Sequence, residues 1–225
     1  MEHLPLYIPV IFVLTTLLTV ILLYKAINYS KPVIIILLLW LALQAAISLS
    51  GFYLVSTGNP PRFALLLMPP AVLIIILLLI KKGRVFIDGF DAKTLTLIHI
   101  VRILVELTLY WLFLYKAVPE VMTFEGRNFD ILCGLTAPLV YYWGYIKHAL
   151  GRNALLVWNI ACLLLLANIV IIAVLSAPFN FQKLAFGQPN IALFYFPFIW
   201  LPCFIVPVVL FAHLVNIRKL ISNKN

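Results

Sequence analysis

His99, Arg102, Glu106 and Tyr110 stand three, four and four residues apart inside a stretch that is otherwise aliphatic and aromatic. At those spacings all four side chains share one face of an α-helix. An imidazole exchanges a proton near neutral pH, a guanidinium holds a fixed positive charge, and a carboxylate takes up a proton or a cation. A charge at the centre of a bilayer costs about 2.5 to 3.5 kcal/mol on insertion scales, so such groups face the protein interior and find partners there. The four residues therefore mark a buried site for a small molecule, an ion or a proton. The simpler account is that Arg102 and Glu106, one turn apart, neutralise each other and only fix helix packing.

The elements that carry these residues are membrane helices. The chain has 225 residues, of which 65% are hydrophobic and 10% charged, and its mean hydropathy is +1.14. Soluble domains carry about 25% charged residues. A span needs roughly 20 apolar residues, and seven segments meet that criterion: Pro5 to Tyr24, Pro32 to Val55, Phe63 to Ile80, Thr96 to Val118, Phe129 to Ala149, Ala154 to Ser176 and Ile191 to Ile217. Pro69 and Pro70 are expected to kink the third, and Pro197, Pro202 and Pro207 to bend the seventh. Residues 1–225 thus read as one polytopic transmembrane domain, an all-α bundle of seven transmembrane helices. Met1, Glu2 and His3 offer no basic leader, so the first segment reads as a retained helix.

A net charge of +9 does not mark a nucleic-acid partner, because the basic residues sit at segment ends. Lys25, Lys31, Lys81, Lys82, Arg84, Lys93, Lys147, Arg152, Arg218, Lys219 and Lys224 fall on one side; Arg62, Lys116, Arg127 and Lys183 fall on the other. The richer side is cytoplasmic by the positive-inside rule, which puts the N-terminus outside and the C-terminus in the cytoplasm. The segment Lys81 to Thr94 then reads as a solvated connector touching anionic headgroups.

Orientation sets depth. Counted from Thr96, Glu106 lies about 15 Å in, close to the mid-plane. His99, His148 and His213 share the cytoplasmic leaflet, and three imidazoles at one depth could hold a zinc ion and its water. Seven-helix zinc hydrolases of the ceramidase and progestin-receptor type are built that way. This chain departs from their pattern: it has no histidine pair four apart in the last helix and no Ser or Asp accompanying His99 in their motif. On the outer side Glu125, Arg127, Asn128 and Asp130 would line an entrance towards Glu106 if their loop folded back. Otherwise Asp130 caps the fifth helix and Glu125 and Arg127 form a rim pair.

Gln44, Ser48, Thr136, Asn159 and Asn168 read as interhelical hydrogen-bonding residues. Cys133, Cys162 and Cys203 are an odd count inside apolar segments and suggest no disulfide framework. The chain has no Walker loop, dinucleotide glycine pattern, HExxH, GxSxG or CxxC, and no lysine in the seventh segment for a retinal Schiff base.

The stretches HIVRILVELTLYWLFLYKAVPEVMTFEGRNFDILCGLTAP and FPFIWLPCFIVPVVLFAHLVNIRKL are similar to uncharacterised bacterial multi-pass integral membrane proteins. The resemblance implies a bacterial inner membrane and carries no activity or catalytic residue with it. The leading expectation is small-molecule binding or transport through the polar site, with the lipid bilayer as surroundings and no cofactor beyond the zinc considered above. A metal-assisted intramembrane hydrolase and a structural or partner-binding subunit are the alternatives.

Overall fold

The computed structural model describes residues 4–55 and 61–222. Met1 to His3 and Lys224, which entered the reading of the N-terminus and of the basic side, lie outside the described residues. The described residues form helices joined by turns, with no strand among them. The helices are α1 (Tyr7–Ala26), α2 (Lys31–Leu49), α3 (Ala64–Leu79), α4 (Lys81–Asp88), α5 (Ala92–Ile98), α6 (Val101–Leu114), α7 (Ile131–Val140), α8 (Arg152–Leu175) and α9 (Val206–Ser222). Wider π-type turns, Tyr141–Ile146 and Leu201–Ile205, continue α7 and precede α9. Among the described residues, five stretches are long and apolar enough to cross a membrane: α1, α2, Ala92–Leu114, α8 and Leu201–Ser222. α3 and α4, bent by 94°, make a sixth if counted as one span. Ile131–Ile146 is apolar but shorter.

Three elements differ in detail from the sequence expectation. α3 stays a continuous helix through Pro69 and Pro70, and the sharp turn comes instead at Ile80. Beyond that turn the connector is helical: α4 is amphipathic, with Gly83 and Ile87 buried while Lys81, Lys82 and Arg84 face outward. The last span starts ten residues later than expected, at Leu201 rather than Ile191. Prolines are the cause, since none can donate to a helical carbonyl. Pro207 leaves the Cys203 carbonyl without its helical donor, and the Trp40 indole of α2 supplies one at 3.0 Å. Irregular backbone at membrane depth is tolerated where a neighbour satisfies it in this way.

Contacts between chain segments gather the basic residues at one end. There the Asp91 amide donates to the Ala26 carbonyl (2.9 Å), Arg218 pairs with Asp88 (3.0 Å), and Arg152 reaches the Ile221 carbonyl (3.2 Å). At the opposite end the amides of Ile191 and Ala192 bond to Ala117, and that of Asn190 to Ser176. Burial separates centre from rim: within an 18-residue apolar window of each, 61% of the Leu201–Ser222 span and 50% of Ala92–Leu114 is enclosed, against 17% of α2. The two central spans are those that carry His213 and the polar face of His99, Arg102 and Glu106.

Candidate functional site

The helix tightens where the polar residues begin. The amides of His99, Ile100, Arg102 and Ile103 each bond three residues back, at 3.1 to 3.3 Å, which interrupts the α-pattern between α5 and α6. Three residues per turn keeps His99 and Arg102 on one face, and such a stretch in mid-helix is a recognised hinge geometry. His99, Arg102 and Glu106 are buried. Tyr110 is only half-buried and packs on Phe124 at 4.9 Å between ring centroids, away from the other three.

Arg102 does not pair with Glu106. Its guanidinium meets the Asp130 carboxylate through two prongs, Nε to Oδ2 at 2.5 Å and Nη2 to Oδ1. Nη1 donates to His213 Nε2 (3.0 Å) and Nη2 also to the Cys162 carbonyl (3.3 Å), so one side chain of α6 joins α7, α8 and α9. The fork geometry suits a planar guanidinium. Asp130 accordingly makes no side-chain cap on α7, the role its position suggested. Gly134 brings the backbones this close: a Cβ there would stand 2.7 Å from Ile103 Cγ1 and 3.0 Å from its amide nitrogen.

The loop before α7 does fold back into the bundle. Gly126 permits the turn, since a Cβ there would run into the Glu120 carbonyl oxygen. Asn128 and Asp130 go inside, whereas Glu125 and Arg127 remain exposed. Asn128 Nδ2 donates to Glu106 Oε1 (2.5 Å) and to the Met122 carbonyl (3.0 Å), and its Oδ1 accepts from the Asp130 amide (3.0 Å). Asn128 thus links the Glu106 carboxylate to the Asp130 backbone at the head of α7. The expected entrance divides into an inner pair that builds the site and an outer pair that does not reach it.

His213 and His99 stack at 3.8 Å between ring centroids. Because a guanidinium only donates, His213 Nε2 is the acceptor; the ring proton lies on Nδ1 and is given to Asn159 Oδ1 at 3.0 Å. Both nitrogens of buried His99 have no hydrogen-bond partner among the described residues. His148 is exposed, and no three His, Cys, Asp or Glu side chains among the described residues are grouped as a metal site. Only two of the three histidines considered as zinc ligands come together.

Cys133 and Cys162 are joined as a disulfide, with Cα atoms 5.7 Å apart, and Cys203 is free. The odd count concealed a pair that ties α7 to α8 beside the Cys162 carbonyl used by Arg102.

Beside this cluster lies a cavity of about 80 Å³, walled by aliphatic and aromatic side chains of α3, α6, α8 and the Leu201–Ser222 span. One water requires only about 10 to 15 Å³ on this measure. Glu106, Asp130 and Asn190 are its polar lining. Glu106 Oε2 and Asn190 Oδ1 are buried without a hydrogen-bond partner among the described residues. Sequence reasoning did not find Asn190, or the part played by Asn159 and Cys162, because each is a single polar or sulfur-bearing residue in an apolar run and periodicity does not pair distant segments. Compared with known protein families, curated proteins and solved structures, the chain matches none.

Proposed function

We propose that this membrane protein binds, and moves across the bilayer, a small molecule or ion that carries a hydrogen-bond donor or a positive charge, using the cavity beside Glu106. The observation that supports this is the buried, unpartnered Glu106 Oε2 on a wall that is otherwise apolar. Buried polar groups are almost always hydrogen-bonded, and an exception calls for an occupant. The charge count agrees. Arg102 is matched by Asp130, so the Glu106 carboxylate is left to a proton or to a cationic ligand.

The topology that accompanies this reading has seven spans in a bacterial inner membrane, N-terminus outside. Ile131–Ile146 counts as a span despite its length because it starts inside the bundle, at Asp130, rather than at the surface. The clustering of basic residues at one end supports a cytoplasmic assignment for that end.

Proteoliposomes loaded with a pH-sensitive dye test the proposal. Sodium, potassium and short primary amines are applied in turn, and the expected result is a proton flux coupled to one of them that Glu106→Gln abolishes. No flux with any probe, or equal flux in the correctly inserted variant, overturns it. The rival is a structural subunit, favoured by the way Arg102 joins four helices; it predicts that Glu106→Gln leaves every transport readout unchanged.

A further inference from the structure

A second, larger hollow lies away from the polar site. α2 stands off from the bundle, and the cleft it leaves against α3, α4 and the Leu201–Ser222 span has a volume of about 420 Å³, within the roughly 300 to 1,000 Å³ usual for small-molecule sites. Its walls are almost wholly apolar, with Leu37, Leu73, Leu77, Phe86 and Phe211 among them. The one indole that lines it, Trp40, has already given its N–H to the Cys203 carbonyl. The cleft therefore asks for hydrocarbon and offers nothing to a polar body.

Its length and its rim say which hydrocarbon. Along α3 the cleft runs from Pro69 to Leu77, eight residues or about 12 Å at the helical rise. That is close to one leaflet, half of a hydrocarbon core about 30 Å thick. At the end of that run α3 turns by 94° into α4, which lies across the bundle axis with Phe86 in the cleft wall and Lys82 one turn before it on the same face. Lys81, Lys82 and Arg84 are exposed there, and Lys31 opens α2, whose Val33 and Leu37 form the opposite wall. The Ile80 position provides no side-chain cap for α4, so its first amides are also open to an acceptor. An apolar slot one leaflet deep ends in a basic rim.

We propose that this cleft holds one acyl chain of an anionic phospholipid, with the headgroup phosphate held by Lys82, the cation on the cleft face of α4, while Lys81 and Arg84 add positive charge to the same rim. The α3–α4 corner is then a lipid site, independent of any ligand at Glu106. A positive rim over an apolar slot complements an anionic headgroup over its chain, while a zwitterionic lipid would satisfy only the slot.

Native mass spectrometry of the full chain released from nanodiscs containing equal phosphatidylglycerol and phosphatidylcholine tests this. The expected result is one retained phosphatidylglycerol, with a preference that falls roughly fivefold for each charge removed in Lys81→Gln, Lys82→Gln and Arg84→Gln. Leu73→Trp, a change at an exposed position that fills the cleft, should expel the lipid altogether. Equal retention of the two lipids, a preference unmoved by the charge variants, or a lipid retained in Leu73→Trp overturns the proposal. A dimer that Leu73→Trp dissolves would also overturn it, by assigning the cleft to a second copy.

Discussion

Arg102 of α6 and Asp130 at the head of α7 face each other as a buried two-pronged ion pair, twenty-eight residues apart in the chain. The pair draws a loop into the bundle that composition alone would leave at the surface. It also frees Glu106 from the role of counter-ion. Removing one partner leaves a buried charge uncompensated, which typically costs about 3 to 5 kcal/mol. Arg102→Met or Asp130→Leu alone is therefore expected to lower the midpoint of thermal unfolding in detergent strongly, and the double variant to recover part of the loss. If the double variant loses the sum of both, the pair is not coupled as described.

Gly134 admits no side chain without moving α7 from α6. Gly134→Val is expected to cost about 1 to 3 kcal/mol by overpacking and, by separating Arg102 from Asp130, to weaken any ligand response as well. Circular dichroism melts of the purified protein report the first effect. An unaltered melt would mean that the two helices are not held in this contact.

The cysteines give a covalent check. Alkylation of unfolded protein without reductant should add one label, at Cys203, and three after reduction, because Cys133 and Cys162 are joined. Intact mass distinguishes these outcomes, and three labels without reductant would contradict the pairing.

Asp91 caps α5, accepting from the Thr94 amide (3.0 Å) and hydroxyl (2.6 Å). Burial works to raise its carboxyl, yet the Thr94 hydrogen bonds and the Lys93 charge hold it below the usual carboxylate range. A carboxyl lowered on folding contributes stability above its unfolded value and loses it as pH falls through the folded value. Asp91→Ala is thus expected to cost about 1 kcal/mol at neutral pH. The gap from the native protein should hold down to about pH 4 and narrow only below that. Melting points of both proteins across that range check the sign.

His99, Arg102 and Glu106 were legible in the sequence because a charge inside an apolar run has a high solvation cost, and three- and four-residue spacings are a local helical property. The membrane class was legible for the same reason, since hydropathy sums over residues without reference to their neighbours in space. Pro207 showed where a carbonyl would be freed, although not that Trp40 would answer it. The bend at Ile80 had no local signal, because it ends an uninterrupted apolar run that reads as one helix.

Residue types and their local spacing are enough to establish that this chain is helical, apolar enough to cross a membrane several times, and polar along one face of a central span. The packing of the helices against one another makes Arg102 answer Asp130 and His213 rather than its helical neighbour Glu106, sets Tyr110 and His148 apart, and brings Cys133 to Cys162. The reason is that pairing between helices depends on their rotation and relative depth. Both are set by close approaches such as Gly134 on Ile103 and by the inward fold of residues 119–130, which no single segment's periodicity encodes.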